Sequence, residues 1–151
     1  MRKLVAGMAL LAAATASGGI EHTILHGVSV AHVRTWVGPA NIPGFSADAL
    51  RADAESALAS AGIGLDSRSQ ADLVISVTVL AESGSCFVTL QGRLVEPAKL
   101  DRNGHAVDAV SWERGGTVVA PAESCAQPTR RLARSAVADF VEHYRAMNPT
   151  R

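Results

Sequence analysis

The middle of the chain repeats its apolar residues with a period of two, whereas the stretches on either side repeat them every three to four residues. Residues 73–80 form an apolar, β-branched run, and residues 86–95 alternate between apolar and polar side chains. Strands have this periodicity because successive side chains point to opposite faces of a sheet. The sequence therefore predicts two neighbouring strands, the first with the composition of a central strand.

Turn signals follow each of these strands. Residues 82–85 (Glu-Ser-Gly-Ser) supply a turn, and residues 101–104 end in Asn-Gly, which readily adopts the positive φ that a tight hairpin requires. A third strand is predicted over 107–112. Gly115-Gly116 then either kinks this strand or reverses it into a further strand, Thr117 to Ala120. Because the connections are short, an antiparallel meander is favoured.

Two amphipathic helices are predicted on either side of these strands. The first begins at Ser46, whose hydroxyl can cap the helix, carries Asp48 in its first turn and ends at Gly62. The second follows Ser124 and ends at Asn148-Pro149. The apolar stripes that define them are Leu50, Ala54, Ala57, Leu58 and Ala61 in the first helix, and Leu132, Ala133, Ala136, Val137, Phe140, Val141 and Tyr144 in the second.

One more strand is predicted before the first helix, between Ile24 and Val37, because this segment is rich in β-branched residues and is ended by Gly38-Pro39. The element order is then β-α-β-β-β-α. We predict an α+β fold, a two-layer sandwich in which an antiparallel meander of four or five strands carries both helices on one face. The other face stays partly open.

The first sixteen residues have the pattern of an export signal. Arg2 and Lys3 precede an apolar run over 4–14, and Ala14-Thr15-Ala16 fits the A-x-A pattern of signal peptidase sites. We expect cleavage between Ala16 and Ser17, a flexible lead-in over 17–23 and a single domain over 24–151. The run is shorter than the ~20 residues that cross a bilayer, so no membrane span is expected. A buried N-terminal helix is the alternative.

The charge balance argues against a nucleic-acid partner. The chain has 14 Lys and Arg against 14 Asp and Glu, and loss of the leader would make it slightly acidic. Without a basic excess there is no electrostatic support for phosphate binding. Arg130, Arg131 and Arg134 cluster, but their helical spacing predicts a solvated helix face.

Two cysteines, Cys86 and Cys125, fall within the predicted mature domain. In an oxidising compartment an even, small number of cysteines favours pairing. We predict a disulfide that ties a strand of the meander to the last helix. Two separate buried thiols are the alternative, and the spacing does not resemble that of a metal site.

The histidines do not form a metal-binding pattern. His22 and His26 are four residues apart, which in a strand separates them by about 13 Å, too far for one ion. His32, His105 and His143 have no partner nearby in the sequence. We therefore predict neither a metal site nor a cofactor.

Catalytic motifs are also absent from the sequence. Residues 27–31 match part of G-x-S-x-G, but Ser29 falls in a predicted strand rather than in the strand-to-helix turn of that motif. Glu82 and Glu123 are predicted in turns, where solvated acids are the norm. The sequence favours a protein that is not an enzyme.

Tryptophans suggest a contact surface. Trp36 at a strand end and Trp112 within a strand could anchor a partner on the open face, since aromatic residues concentrate binding energy at interfaces. Alternatively, both lie in the core. Thr89, Gln91 and Arg93 occupy the polar face of one strand, and together with the two tryptophans they form the predicted interaction surface.

The element order resembles that of small exported α/β proteins of Gram-negative bacteria, through the Ser46-led helix, the meander and a final helix that ends in Phe-Val-Glu-His-Tyr over 140–144. At fold level it is similar to the outer-membrane lipoprotein that assists lipopolysaccharide assembly. The resemblance implies a place in the cell envelope. However, the lipid-bearing cysteine of that lipoprotein has no counterpart near the predicted cleavage point.

Three functions are compatible with these patterns. The favoured one is a periplasmic or secreted non-enzymatic binding or envelope-assembly protein that offers its open sheet face or a sheet edge to an envelope protein or component. A small periplasmic hydrolase or metal-dependent enzyme that uses Glu and His residues is the second. The third is an inhibitor of a secreted hydrolase. The sequence predicts no oligomeric state.

Overall fold

The computed structural model describes residues 25–39 and 42–149. The predicted signal peptide, the cleavage point between Ala16 and Ser17, the lead-in and His22 lie outside the described residues.

Four strands and two helices follow in the predicted order. Strand β1 spans Val30–Pro39, helix α1 Ala47–Ser60, β2 Ala71–Glu82, β3 Ser85–Lys99, β4 Ala106–Pro121 and helix α2 Ala126–Met147; a short 3₁₀ turn, Ala122–Ser124, precedes α2. The strands form one sheet in the order β1-β2-β3-β4. Both helices pack on one side, α1 against β1 and α2 against β3 and β4, so the two-layer α+β prediction is confirmed.

The sheet is mixed rather than antiparallel throughout. Strands β2, β3 and β4 form the predicted antiparallel meander, but β1 pairs with β2 in parallel. The prediction of an antiparallel first strand was wrong because α1 separates the two strands. A helical crossover carries the chain back along the sheet, so the next strand starts at the same end as β1.

The ends of α1 follow the sequence signals. The Ser46 hydroxyl accepts a hydrogen bond from the backbone N–H of Ala49 at 3.2 Å, and Gly62 adopts a φ of 77° just beyond the helix. Both observations agree with the capping roles predicted for these residues.

Residues 117–120 belong to β4, and the described residues contain no fifth strand. Gly115 and Gly116 lie inside this continuous strand. A Cβ built on Gly115 would lie 2.7 Å from the carbonyl oxygen of Leu90, and one on Gly116 would lie 2.8 Å from a methyl carbon of Leu132. The two glycines therefore allow β3 and α2 to approach β4 closely, and they do not reverse the chain.

We expect the Gly115→Ala substitution to lower the free energy of unfolding by about 1–3 kcal/mol, because the added methyl group meets backbone that can move only by distorting the sheet. Urea unfolding followed by circular dichroism measures the change. Gly64→Ala is the matched control, since a Cβ there has no atom within 4 Å, and it should change stability by less than about 0.5 kcal/mol. Equal losses in the two variants would contradict the close approach.

The core lies between the sheet and the helices. Alternate residues of β2 and β3 point into it, and each helix contributes its apolar stripe. The central buried side chains are Leu73, Ile75, Val77, Val79, Val88, Leu90 and Leu94 from the strands, and Leu50, Ala54, Leu58, Ala133, Ala136, Val137 and Phe140 from the helices.

Cys86 and Cys125 form a disulfide, as predicted, with their Cα atoms 6.3 Å apart. The bond joins the start of β3 to the residue that precedes α2, and both cysteines are buried. It therefore ties α2 to the sheet at one end of the sandwich.

No helix within the described ranges is long and apolar enough to cross a membrane.

Candidate functional site

The sheet face opposite the helices is the first candidate surface, and we call it the open face. The strand register arranges its side chains in rows across the sheet. One end is charged, the middle is polar and the other end is apolar. The rows run Arg34, Val74, Arg93 and Glu113; then Trp36, Ser76, Gln91 and Gly115; then Gly38, Thr78, Thr89 and Thr117; and finally Leu80, Phe87 and Val119.

Trp36 belongs to the open face, where 51% of its surface is exposed. A Cβ on Gly38 would lie only 3.0 Å from the indole ring. The ring therefore lies along the strand over the bare backbone of Gly38. This is a broad aromatic surface on an edge strand, open to a partner on one side.

Thr89, Gln91 and Arg93 also belong to the open face. The hydroxyl groups of Thr89 and Thr117 are 3.3 Å apart across the β3–β4 pair. Arg93 is half-buried between its neighbours and lies opposite Glu113 in the register, and its Nε has no hydrogen-bond partner among the described residues. Four of the five residues predicted as an interaction surface thus share one face.

Trp112 is on the other face, and its assignment to the interaction surface was wrong. The side chain is 9% exposed and packs edge-on against Phe140, with ring centroids 5.1 Å apart. The cause is a bulge: the register shifts so that Ser111 has no partner, which places Val110 on the open face and Trp112 beneath α2. Strict alternation cannot anticipate such a change of face.

An apolar row at one end of the open face was missed by sequence reasoning. Leu80 and Val119 flank Phe87 on the neighbouring strands, with exposed fractions of 57%, 58% and 41% respectively. Directly paired side chains lie about 5 Å apart, so the three form one continuous patch. The signal that could have found Phe87 is its alternation with Thr89 and Gln91 along β3.

The opposite end of the open face is charged. Arg34 and Asp72 form a salt bridge of 2.6 Å between an exposed guanidinium and a mostly buried carboxylate. With Arg93 and Glu113 nearby in the register, this end carries both signs of charge. Along the strands, the side chains of the open face therefore change from charged at this end to apolar at the end that carries Phe87.

The second candidate surface is a groove between the two helices, which we call the interhelical groove. It encloses about 610 Å³. Much of its apolar floor is formed by Leu50, Ala54, Ala57, Val137 and Val141. The charged side chains that line it are Asp53, Arg130, Arg134, Glu142 and Arg145.

Three arginines of α2 reach across this groove. Arg130 donates a hydrogen bond to the carbonyl of Gly44, before α1, and Arg145 donates one to the carbonyl of Ala61, after α1, at 3.1 Å. Arg134 lies 4.0 Å from the Asp53 carboxylate. These contacts show that α1 and α2 run in the same direction. They also refine the prediction of a solvated arginine face, since two of its three members border a groove.

The histidines are dispersed. His26 and His32 are exposed, and His105 lies exposed in the β3–β4 turn region. The Nδ1 of His143 donates to the Asp139 carbonyl at 2.6 Å, so its Nε2 is the atom that can accept from Arg114 at 3.4 Å. Over the ranges that the structure describes, no three His, Cys, Asp or Glu residues are grouped as metal ligands.

One carboxylate has a displaced pKa. Hydrogen bonds from the side chain and backbone of Arg68 lower the pKa of Asp66, and the Arg68 pKa is raised by the same pairing. Arg68 is exposed and Asp66 is partly buried in the loop before β2, where Asp66 also donates its backbone N–H to the Val30 carbonyl. The pair organises this loop beside β1.

Comparison with known proteins finds similarity among solved structures only; no family model and no curated protein matches. Two structures of the PelC dodecamer from Paraburkholderia phytofirmans, one of them a single-residue variant, are 18% and 19% identical to this chain. They cover 75% and 77% of it and 88% and 91% of their own lengths, with TM-scores of 0.40 and 0.39. A structure described as an uncharacterized protein is 13% identical, covering 80% of this chain and 92% of its own, with a TM-score of 0.40. Similarity of this degree establishes neither family nor function.

Proposed function

We propose that this protein is a non-enzymatic binding or envelope-assembly protein of the periplasm, and that it holds an envelope protein on its open face. The observation that carries the proposal is the apolar row of Leu80, Phe87 and Val119, which no described element covers. Exposed apolar patches rimmed by polar residues are typical of interaction sites.

The composition of the open face supports a protein partner. Trp36 and Phe87 supply aromatic area and Arg93 a guanidinium, and these residue types are enriched at protein interfaces. The threonine row between them offers hydroxyl groups and methyl groups without a net charge to desolvate. A partner with an apolar centre and a mixed-charge rim would match this pattern.

The disulfide supports a location outside the cytoplasm. Disulfides persist in oxidising compartments such as the periplasm, and this one joins two buried cysteines. The periplasm itself is inferred from the predicted signal peptide and from the resemblance to exported proteins.

Site-specific photo-crosslinking in the native cells tests the proposal. A photoreactive phenylalanine analogue in place of Phe87 should give one discrete adduct with an envelope protein. The same analogue in place of Ser56, exposed on α1, is the control and should give none. Adding Leu80→Asp to the Phe87 probe should remove the adduct, because it places a charge in the apolar row.

Two results would overturn the proposal. The first is the absence of any adduct that depends on Leu80. The second is an adduct of twice the mass of the chain, since the occupant of the open face would then be a second copy of this protein.

A further inference from the structure

We infer that the interhelical groove binds a free long-chain carboxylate, with the acyl chain along the groove and the carboxylate at its Arg130 end. The groove lies in the helix layer, on the opposite side of the sheet from the open face. A ligand there therefore does not overlap a partner on that face.

The size of the groove fits one small ligand. Its volume of about 610 Å³ lies within the ~300–1,000 Å³ range of small-molecule sites. It runs beside α1, whose 14 residues extend about 21 Å at 1.5 Å per residue. Its floor of alanine, valine and leucine side chains matches a saturated hydrocarbon chain, which gains free energy from leaving water.

The three arginines that reach across the groove favour a thin ligand and disfavour a bound helix from another protein. Arg130, Arg134 and Arg145 extend from α2 towards α1 at the two ends and the middle of the groove. A helix with side chains is about 10–12 Å wide and would have to displace all three. An extended acyl chain is much thinner and can lie beneath them.

The charges along the groove determine which end of it the carboxylate of the ligand occupies. Arg130 lies at the end where both helices begin, and helix N-termini carry partial positive charge. Arg130 forms no salt bridge within the described part of the chain, and its single hydrogen bond to the Gly44 carbonyl leaves other N–H donors free. Glu142 lines the groove near Arg145, towards the other end, and would repel an anion there.

Calorimetric titration of the folded protein with sodium laurate, below its micellar concentration, tests the inference. We expect saturable binding of one laurate per chain, with dodecyltrimethylammonium at least about tenfold weaker, which corresponds to about 1.4 kcal/mol. Failure of laurate to bind would overturn the inference. Binding of both amphiphiles with equal affinity would also overturn it, because the arginines would then have no role.

Two pairs of variants locate the site. Ala57→Trp fills the groove and should weaken laurate binding at least about tenfold, whereas Ala59→Trp, exposed on the same helix outside the groove, should change it less than about twofold. Arg130→Gln should weaken laurate binding about tenfold and leave 1-dodecanol binding unchanged, and Arg131→Gln should affect neither. Equal effects within either pair would contradict the site.

Vesicle sedimentation separates a free carboxylate from a lipid surface. We expect the protein to remain in the supernatant with phosphatidylglycerol vesicles. Sedimentation that Arg130→Gln abolishes, combined with no laurate binding, would replace the free carboxylate with an anionic membrane surface. The crosslinking experiment tests the open face and the laurate titration tests the interhelical groove. A negative result in one experiment therefore does not contradict the proposal that the other experiment tests.

Discussion

The Phe140→Ala substitution is expected to lower the free energy of unfolding by about 3–5 kcal/mol. The ring is fully buried and lies where α2 meets the sheet, in edge-on contact with Trp112 and 6.1 Å from the ring of Tyr144. Its removal leaves a cavity that these large neighbours cannot fill. Because domains of this size have only about 5–15 kcal/mol of stability, the loss is a large share of the total.

Urea unfolding of the oxidised protein measures this loss, provided that the m-value is unchanged. Phe87→Ala is the matched control, since it removes the same side chain from the open face, and it should cost about 1 kcal/mol or less. Similar losses for the two variants would contradict the assignment of one phenylalanine to the core and the other to the surface.

Replacement of both Cys86 and Cys125 by alanine is expected to lower the free energy of unfolding by about 4 kcal/mol. The disulfide closes a loop between residues 39 apart, and the chain-entropy relation gives this value for the loss of such a constraint on the unfolded chain. Both side chains are buried, and alanine preserves part of their volume. The main effect should therefore be on the unfolded state.

Reductant provides the control for the disulfide. The wild-type protein unfolded in the presence of dithiothreitol should lose about the same stability, whereas the double variant should be insensitive to dithiothreitol. If reduction leaves the wild-type midpoint unchanged, the bond contributes nothing to stability and the α2–sheet contacts hold without it.

Local signals in the sequence located nearly every element. Ser46 and Gly62 bound α1 because capping depends on residues within one turn. The alternation of β3 identified its buried face because one face of the sheet is covered by helices and the other is not, whereas the apolar run of β2 predicted only a central strand. The cysteine pair was predictable because the predicted export signal and an even count of cysteines together favour a disulfide.

The candidate surfaces were only partly predictable. Alternation could assign Thr89, Gln91 and Arg93 to one face of β3, and the structure places Trp36 on the same side of the sheet. The interhelical groove had no sequence signal of its own. Arg130 and Arg134 are visible at helical spacing, but the chain alone does not say that Gly44 and Asp53 lie opposite them.

The sequence by itself determined the element order, the two amphipathic helices and the disulfide, because each depends on local periodicity, capping or residue chemistry. Only the tertiary structure decided that β1 runs parallel to β2, that Gly115 lies within a continuous strand and that a bulge sends Trp112 into the core. These outcomes depend on which segments meet across the sheet. Strand pairing between residues that are distant in the sequence produces no periodic pattern from which it could be predicted.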